Sequence, residues 1–123
     1  MQKRILIVDD EATTLFAYKK LFKKNGVEVE TAGTFEEAEA LLNKHSFQAI
    51  VTDLCLSGKS SLEGLEILRL VGRSHPQTKV ILITAYGNPD IMAKAYDLGA
   101  SFYFEKPVPI KTLREALQQL GVG

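Results

Sequence analysis

The chain has 123 residues, enough for one domain with one hydrophobic core and too few for two ordinary ones. With 46% apolar and 24% charged residues it is neither disordered nor collagen-like, and fifteen Lys and Arg against fifteen Asp and Glu leave no net charge to attract a polyanion, so nucleic-acid binding is not expected. No apolar run approaches the ~20 residues of a membrane span, acids interrupt the opening MQKRILIVDDE as a signal peptide would not allow, and the single Cys55 permits no internal disulfide, so a cytoplasmic chain is expected.

Arg4-Ile5-Leu6-Ile7-Val8 is a continuous apolar run, the pattern of a strand covered on both faces. A helical segment from Leu15 to Phe22 follows and stops before Asn25-Gly26. Val27-Glu28-Val29-Glu30-Thr31 alternates, as a strand nearer a sheet edge does. Thr34 with Glu37 is a capping-box pattern ahead of Ala38, Leu41 and Leu42. Ala49-Ile50-Val51 is a third strand. Ser60 with Glu63 repeats the capping pattern before Leu65, Ile67, Leu68 and Val71, and His75-Pro76 closes that helix.

Val80-Ile81-Leu82-Ile83 is a fourth strand, and Asn88-Pro89-Asp90 supplies a cap, a first-turn proline and an acid for a helix ending at Leu98-Gly99. Ser101-Phe102-Tyr103-Phe104 is a fifth strand, followed by a helix over about Pro109 to Leu120. The order βαβαβαβαβα implies an α/β sandwich around a parallel sheet, because each crossover needs a helix to return the chain to the same end.

Ligands of such sheets bind at the carboxyl ends of the strands. There the first strand ends in Asp9-Asp10, the third in Asp53 and the fourth in Thr84, and the fifth runs into Lys106. Any one of these residues is ordinarily a cap or loop residue. Together, three converging carboxylates repel one another unless a cation intervenes, and oxygen-only ligation suits Mg²⁺. A phosphoryl group placed on one of these acids would meet a metal, an ammonium and a hydroxyl, the outline of a phosphoryl-transfer site.

The motifs ILIVDDE, AIVTDL, VILITAYG and LGASFYFEKP occur in the order found in the receiver domain of two-component response regulators, which the chain resembles over essentially all of residues 1–123. The resemblance implies a flavodoxin-like (βα)5 three-layer sandwich with strand order 2-1-3-4-5. It implies that Asp53 accepts a phosphoryl group from a sensor histidine kinase or phosphotransfer protein. Asp10, the Asp53 carboxylate and the Cys55 carbonyl would bind Mg²⁺ directly, with Asp9 acting through water. Lys106, next to a cis bond to Pro107, would pair with Asp53 and then with the phosphoryl oxygens. Thr84 would hydrogen-bond the phosphoryl group and Tyr103 would turn inward, changing the surface of helix four, strand five and helix five. That surface would control a downstream effector or output domain and would allow a homodimer. Such a protein catalyses its own phosphorylation and dephosphorylation but turns over no metabolite, and the length leaves no room for an output domain.

Two departures from the family pattern stand out. Ser57 and Ser61 occupy positions where proline and glycine are usual, and the next glycine is Gly64, which implies a loop about three residues longer, of a kind that closure entropy tolerates cheaply. Cys55, two residues beyond Asp53, is expected to influence attack of water on an acyl phosphate or to be a tolerated buried thiol. His45 and His75 lie at helix ends and are expected to cap or to be solvated. Tyr86, Tyr96 and Tyr103 would suit a partner-binding patch, although scattered aromatics usually need no such role. Two alternatives to the phosphorylated switch are a receiver-like interaction module that works without phosphorylation and a Mg²⁺-dependent aspartyl-phosphate phosphohydrolase. The latter usually carries D-x-D after its first strand, where this chain has Asp9-Asp10-Glu11.

Overall fold

A computed structural model describes residues 3–56 and 62–122. Ten elements alternate: β1 (Lys3–Val8), α1 (Ala12–Phe22), β2 (Val27–Ala32), α2 (Phe35–Lys44), β3 (Ala49–Asp53), α3 (Glu63–Ser74), β4 (Lys79–Thr84), α4 (Pro89–Asp97), β5 (Phe102–Glu105) and α5 (Ile110–Gln119). The five strands are all parallel and lie in the order β2-β1-β3-β4-β5, so the flavodoxin-like arrangement expected from the sequence is the one observed.

Strand residues alternate between two cores because successive side chains leave opposite faces of a sheet. Leu6, Val8, Ile50, Val80 and Leu82 pack with Ala38 and Leu42 of α2, Leu65 and Leu68 of α3, and Ala95 of α4. Ile5, Ile7, Val51, Ile81 and Ile83 face Phe22 of α1 and Leu113, Ala116 and Leu117 of α5. This two-sided burial is why the inner strands read as continuous apolar runs. Each fully buried Leu or Ile contributes about 1.5–3 kcal/mol of transfer free energy.

Helix starts follow local chemistry. Thr34 Oγ1 accepts the Glu37 N–H at 3.1 Å, while the Glu37 carboxylate reaches back to the Gly33 N–H at 2.6 Å, one residue before the usual partner of a capping box. Asn88 accepts the Ile91 N–H at 2.9 Å, with Pro89 in the first turn of α4.

Two boundaries differ from expectation. Helix α1 begins at Ala12, three residues before Leu15, because the Asp9 carboxylate takes the Glu11 N–H at 2.9 Å and turns the chain there. Helix α3 begins at Glu63 with Leu62 at the capping position and no side-chain cap bond from that residue. Ser60 itself, with the remainder of the Ser57–Ser61 loop, lies outside the described residues.

Gly64 makes a close approach to β3. A Cβ at this position would lie 2.7 Å from both the Asp53 carbonyl oxygen and Leu54 Cα, and the Gly64 N–H donates to Leu54 O at 2.9 Å. The start of α3 is thereby clamped to the strand end that carries Asp53.

Candidate functional site

Strands β1, β3, β4 and β5 bring their carboxyl ends to one rim, as a parallel sheet must. Asp9 is 1% exposed and Asp53 7%, whereas Asp10 projects to solvent. One carboxylate oxygen from each of the three lies within 4.8 Å of the others.

Lys106 answers them from the end of β5. Its Nζ lies 2.8 Å from Asp53 Oδ2 and 3.5 Å from Asp9 Oδ2. The Lys106 N–H donates to the Thr84 carbonyl at 2.8 Å, which holds the end of β5 beside β4; the Lys106-Pro107 peptide is cis, as expected. Burial works against the ammonium, but the hydrogen bond and charge of Asp53, helped by Asp9, outweigh it and hold the lysine pKa above its ordinary value.

The two buried acids are supported unequally. Asp53 Oδ1 accepts the Cys55 N–H at 3.1 Å while Oδ2 accepts from Lys106, so both oxygens are engaged. Asp9 Oδ1 accepts from Glu11, but its buried Oδ2 has no hydrogen bond. Burial raises the Asp9 pKa, with further upward pushes from Asp53 and Asp10, and neither the Glu11 hydrogen bond nor Lys106 cancels this. An under-satisfied buried oxygen beside two further carboxylates is a donor set suited to a hard divalent cation.

Cys55, Ala85, Tyr86 and Glu11 complete the walls of the open cleft formed with Asp10, Asp53 and Lys106. Glu11 and Ala85 are assigned no role from the sequence, and their adjacency to the Asp9-Asp10 pair and to Thr84 is the signal that could have found them; Tyr86, considered there only for a partner-binding patch, lines the cleft. Cys55 is largely buried, and burial followed by the Asp53 charge pushes its thiol pKa up, opposing thiolate formation.

Thr84 is fully buried beneath the cleft and its Oγ1 accepts the Tyr86 N–H at 3.0 Å. Tyr103 does not line the cleft. Its buried ring lies inward with the hydroxyl over Gly87, where a Cβ would come within 1.7 Å of Tyr103 Oη and 2.8 Å of Thr84 Cγ2. Gly87 is thus the seat that lets Thr84 and Tyr103 share one loop, a role invisible in the sequence, where it is one small residue in a turn.

The profile of the response regulator receiver domain family matches residues 5–118. The chain belongs to that family. It is 29% identical to sporulation initiation phosphotransferase F of Bacillus subtilis, over 97% of this chain and 94% of that protein. It is also 33% identical to response regulator protein PilR of Pseudomonas aeruginosa, over 93% of this chain but 25% of the relative, so it spans about a quarter of that longer protein. Among solved structures, a CheY-like receiver domain protein from Methanospirillum hungatei superposes with a TM-score of 0.89 at 32% identity, covering 98% of this chain and 95% of that one. The beryllofluoride-activated NtrC4 receiver domain dimer superposes at 0.81 with 28% identity, over 97% and 99% of the two chains. Receiver domains of this family accept a phosphoryl group on an aspartate. Among the described residues no helix is long and apolar enough to cross a membrane.

Proposed function

We propose that this receiver is a phosphorylation-dependent switch in which Asp53 is the phosphoacceptor. The observation that carries this reading is the pairing of Asp53 with Lys106 inside a cluster of three carboxylates. An Asp53 oxygen attacks the phosphorus of a phosphohistidine, the P–N bond breaks, and the imidazole leaves with a proton taken from solvent, giving an acyl phosphate. Lys106 transfers its contact from the carboxylate to a phosphoryl oxygen, so one ammonium serves both states.

Asp10, the Asp53 carboxylate and the Cys55 carbonyl would hold Mg²⁺ directly and Asp9 through water. When bound, the ion would neutralise carboxylate and phosphoryl charge at this rim. Thr84 then hydrogen-bonds the phosphoryl group, and the loop from Ala85 to Asn88 follows it. Tyr103 reports that shift to the surface of α4, β5 and α5, where a downstream effector, an output domain or a second copy would dock. This reading places the protein in the cytoplasm as a phosphoacceptor that turns over no metabolite.

Incubation with Mg²⁺ and acetyl phosphate, followed by mass spectrometry, tests the assignment. One base-labile phosphoryl adduct on Asp53, absent without Mg²⁺ and absent from Asp53→Asn, is expected. An adduct on Asp9 or Asp10, or equal labelling of wild type and Asp53→Asn, overturns it.

A further inference from the structure

Strand β5 is the outer strand beside β4, and the backbone groups on its free side need partners outside the sheet. One of them has a specific partner. The Tyr103 N–H donates to the phenol oxygen of Tyr96 at 3.2 Å, across seven residues, from the edge strand to helix α4. The two rings lie 6.4 Å apart and tilted, so Tyr96 covers both the backbone and the flank of Tyr103. Tyr96 is nevertheless 46% exposed, too open for core packing alone to explain its place. From the opposite side, Gly87 seats the Tyr103 hydroxyl next to Thr84.

We propose that Tyr96 is a positioning residue that ties α4 to Tyr103 through this single hydrogen bond and favours the inward-tyrosine conformation before any phosphoryl group arrives. The inference rests on the phosphoacceptor reading only for its consequence. A bond from a side chain of α4 to the backbone of β5 forms only when the two elements keep this spacing, so it stabilises one relative placement of α4 over others. A phosphoryl group that needs Thr84 and its loop in the matching placement binds more tightly when that placement is already populated, and binding must return the same bias to the Tyr96–Tyr103 bond. The exposed phenol also occupies the hydrogen-bonding side of an edge strand, so loss of the bond frees the Tyr103 N–H for another acceptor.

Tyr96→Phe removes the oxygen and leaves the ring. Amide hydrogen exchange at Tyr103, followed by NMR in the metal-free protein, is expected to accelerate about three- to tenfold, the span of one net hydrogen bond, while amides of β1 and β3 stay at wild-type rates. Titration with Mg²⁺ and beryllofluoride is expected to show weaker binding by a similar factor. Unchanged exchange at Tyr103 overturns the proposal, and so does faster exchange with unaltered beryllofluoride affinity. If wild type itself fails to bind Mg²⁺ and beryllofluoride, the phosphoacceptor reading falls, and the exchange rates still decide whether Tyr96 holds Tyr103.

Discussion

Lys106 Nζ and Asp53 Oδ2, 53 residues apart in sequence, meet at 2.8 Å, and the same ammonium reaches Asp9 at 3.5 Å. One cation therefore faces two buried carboxylates, with Asp10 a third acid at their edge. The metal-free rim carries excess negative charge, and the strain of that excess falls mainly on Asp9, whose second oxygen is buried without a hydrogen bond.

The Asp9 pKa is raised in the folded protein, so the native state binds this proton more tightly than the unfolded chain does. The resulting stabilisation is present at low pH and is lost as pH rises from the ordinary carboxylate value through the raised one. Without divalent ions, Asp9→Asn is expected to stabilise the protein by about 1 kcal/mol at pH 7, raising Tm by ~4 °C. The gain should shrink as pH falls towards 4. Thermal melts of both proteins in EDTA across this range check it, and a variant less stable than wild type at pH 7 contradicts the account of an under-supported carboxylate.

Mg²⁺ should stabilise wild type in proportion to the acids present. Saturating Mg²⁺ is expected to raise the wild-type Tm, by ~2.7 kcal/mol of stability at 100 times Kd, and to do much less for Asp10→Asn. Equal shifts for the two proteins would place the ion elsewhere.

Gly87→Ala puts a carbon where the Tyr103 hydroxyl now sits, and the ring must leave or the loop must open. A cost of about 1–3 kcal/mol is expected, as for other overpacked sites, with Tyr103 becoming accessible to solvent. Denaturant melts and the NMR ring signals of Tyr103 provide the measurements. Wild-type stability with an unmoved Tyr103 would mean that Gly87 is not its seat.

The fold is legible in the sequence because each inner strand is covered by helices on both faces, and because Thr34 and Asn88 cap their helices by local rules. The start of α1 is not legible. It depends on Asp9, a residue of the site, which takes the Glu11 N–H and sets the turn three residues ahead of the apolar pattern. At α3 the clamp of Gly64 against Asp53 and Leu54 fixes where the chain approaches β3, a contact across elements that the serine-glutamate pattern does not show. The acids of the site are legible as strand ends, but their pairing with Lys106 depends on strand order, which came with the family resemblance. Gly87 and the Tyr96 hydroxyl matter only through contacts made across elements, and no local pattern marks them.

Cys55 supplies the backbone N–H that holds Asp53 Oδ1, while its own side chain walls the cleft. Cys55→Asn keeps the backbone donor and exchanges a weakly polar wall for an amide able to orient water. The half-life of the phosphorylated protein is expected to change by at least about threefold, a difference of ~0.7 kcal/mol in the barrier. Decay of the acyl phosphate in Mg²⁺ after removal of the phosphodonor measures it, and identical decay rates would leave Cys55 with a packing role alone.

In the proposed switch, Asp53 takes the phosphoryl group and Lys106 then holds it. The most direct test is site-mapped phosphorylation by acetyl phosphate in Mg²⁺, run in parallel on wild type, Asp53→Asn and Lys106→Ala. An adduct on Asp53 is expected in wild type and none in Asp53→Asn, while Lys106→Ala should carry an adduct that leaves the thermal stability and the Tyr103 NMR signals close to their unphosphorylated values. Labelling of Asp53→Asn at the wild-type level, or a phosphorylated Lys106→Ala that responds as fully as wild type, would contradict this assignment.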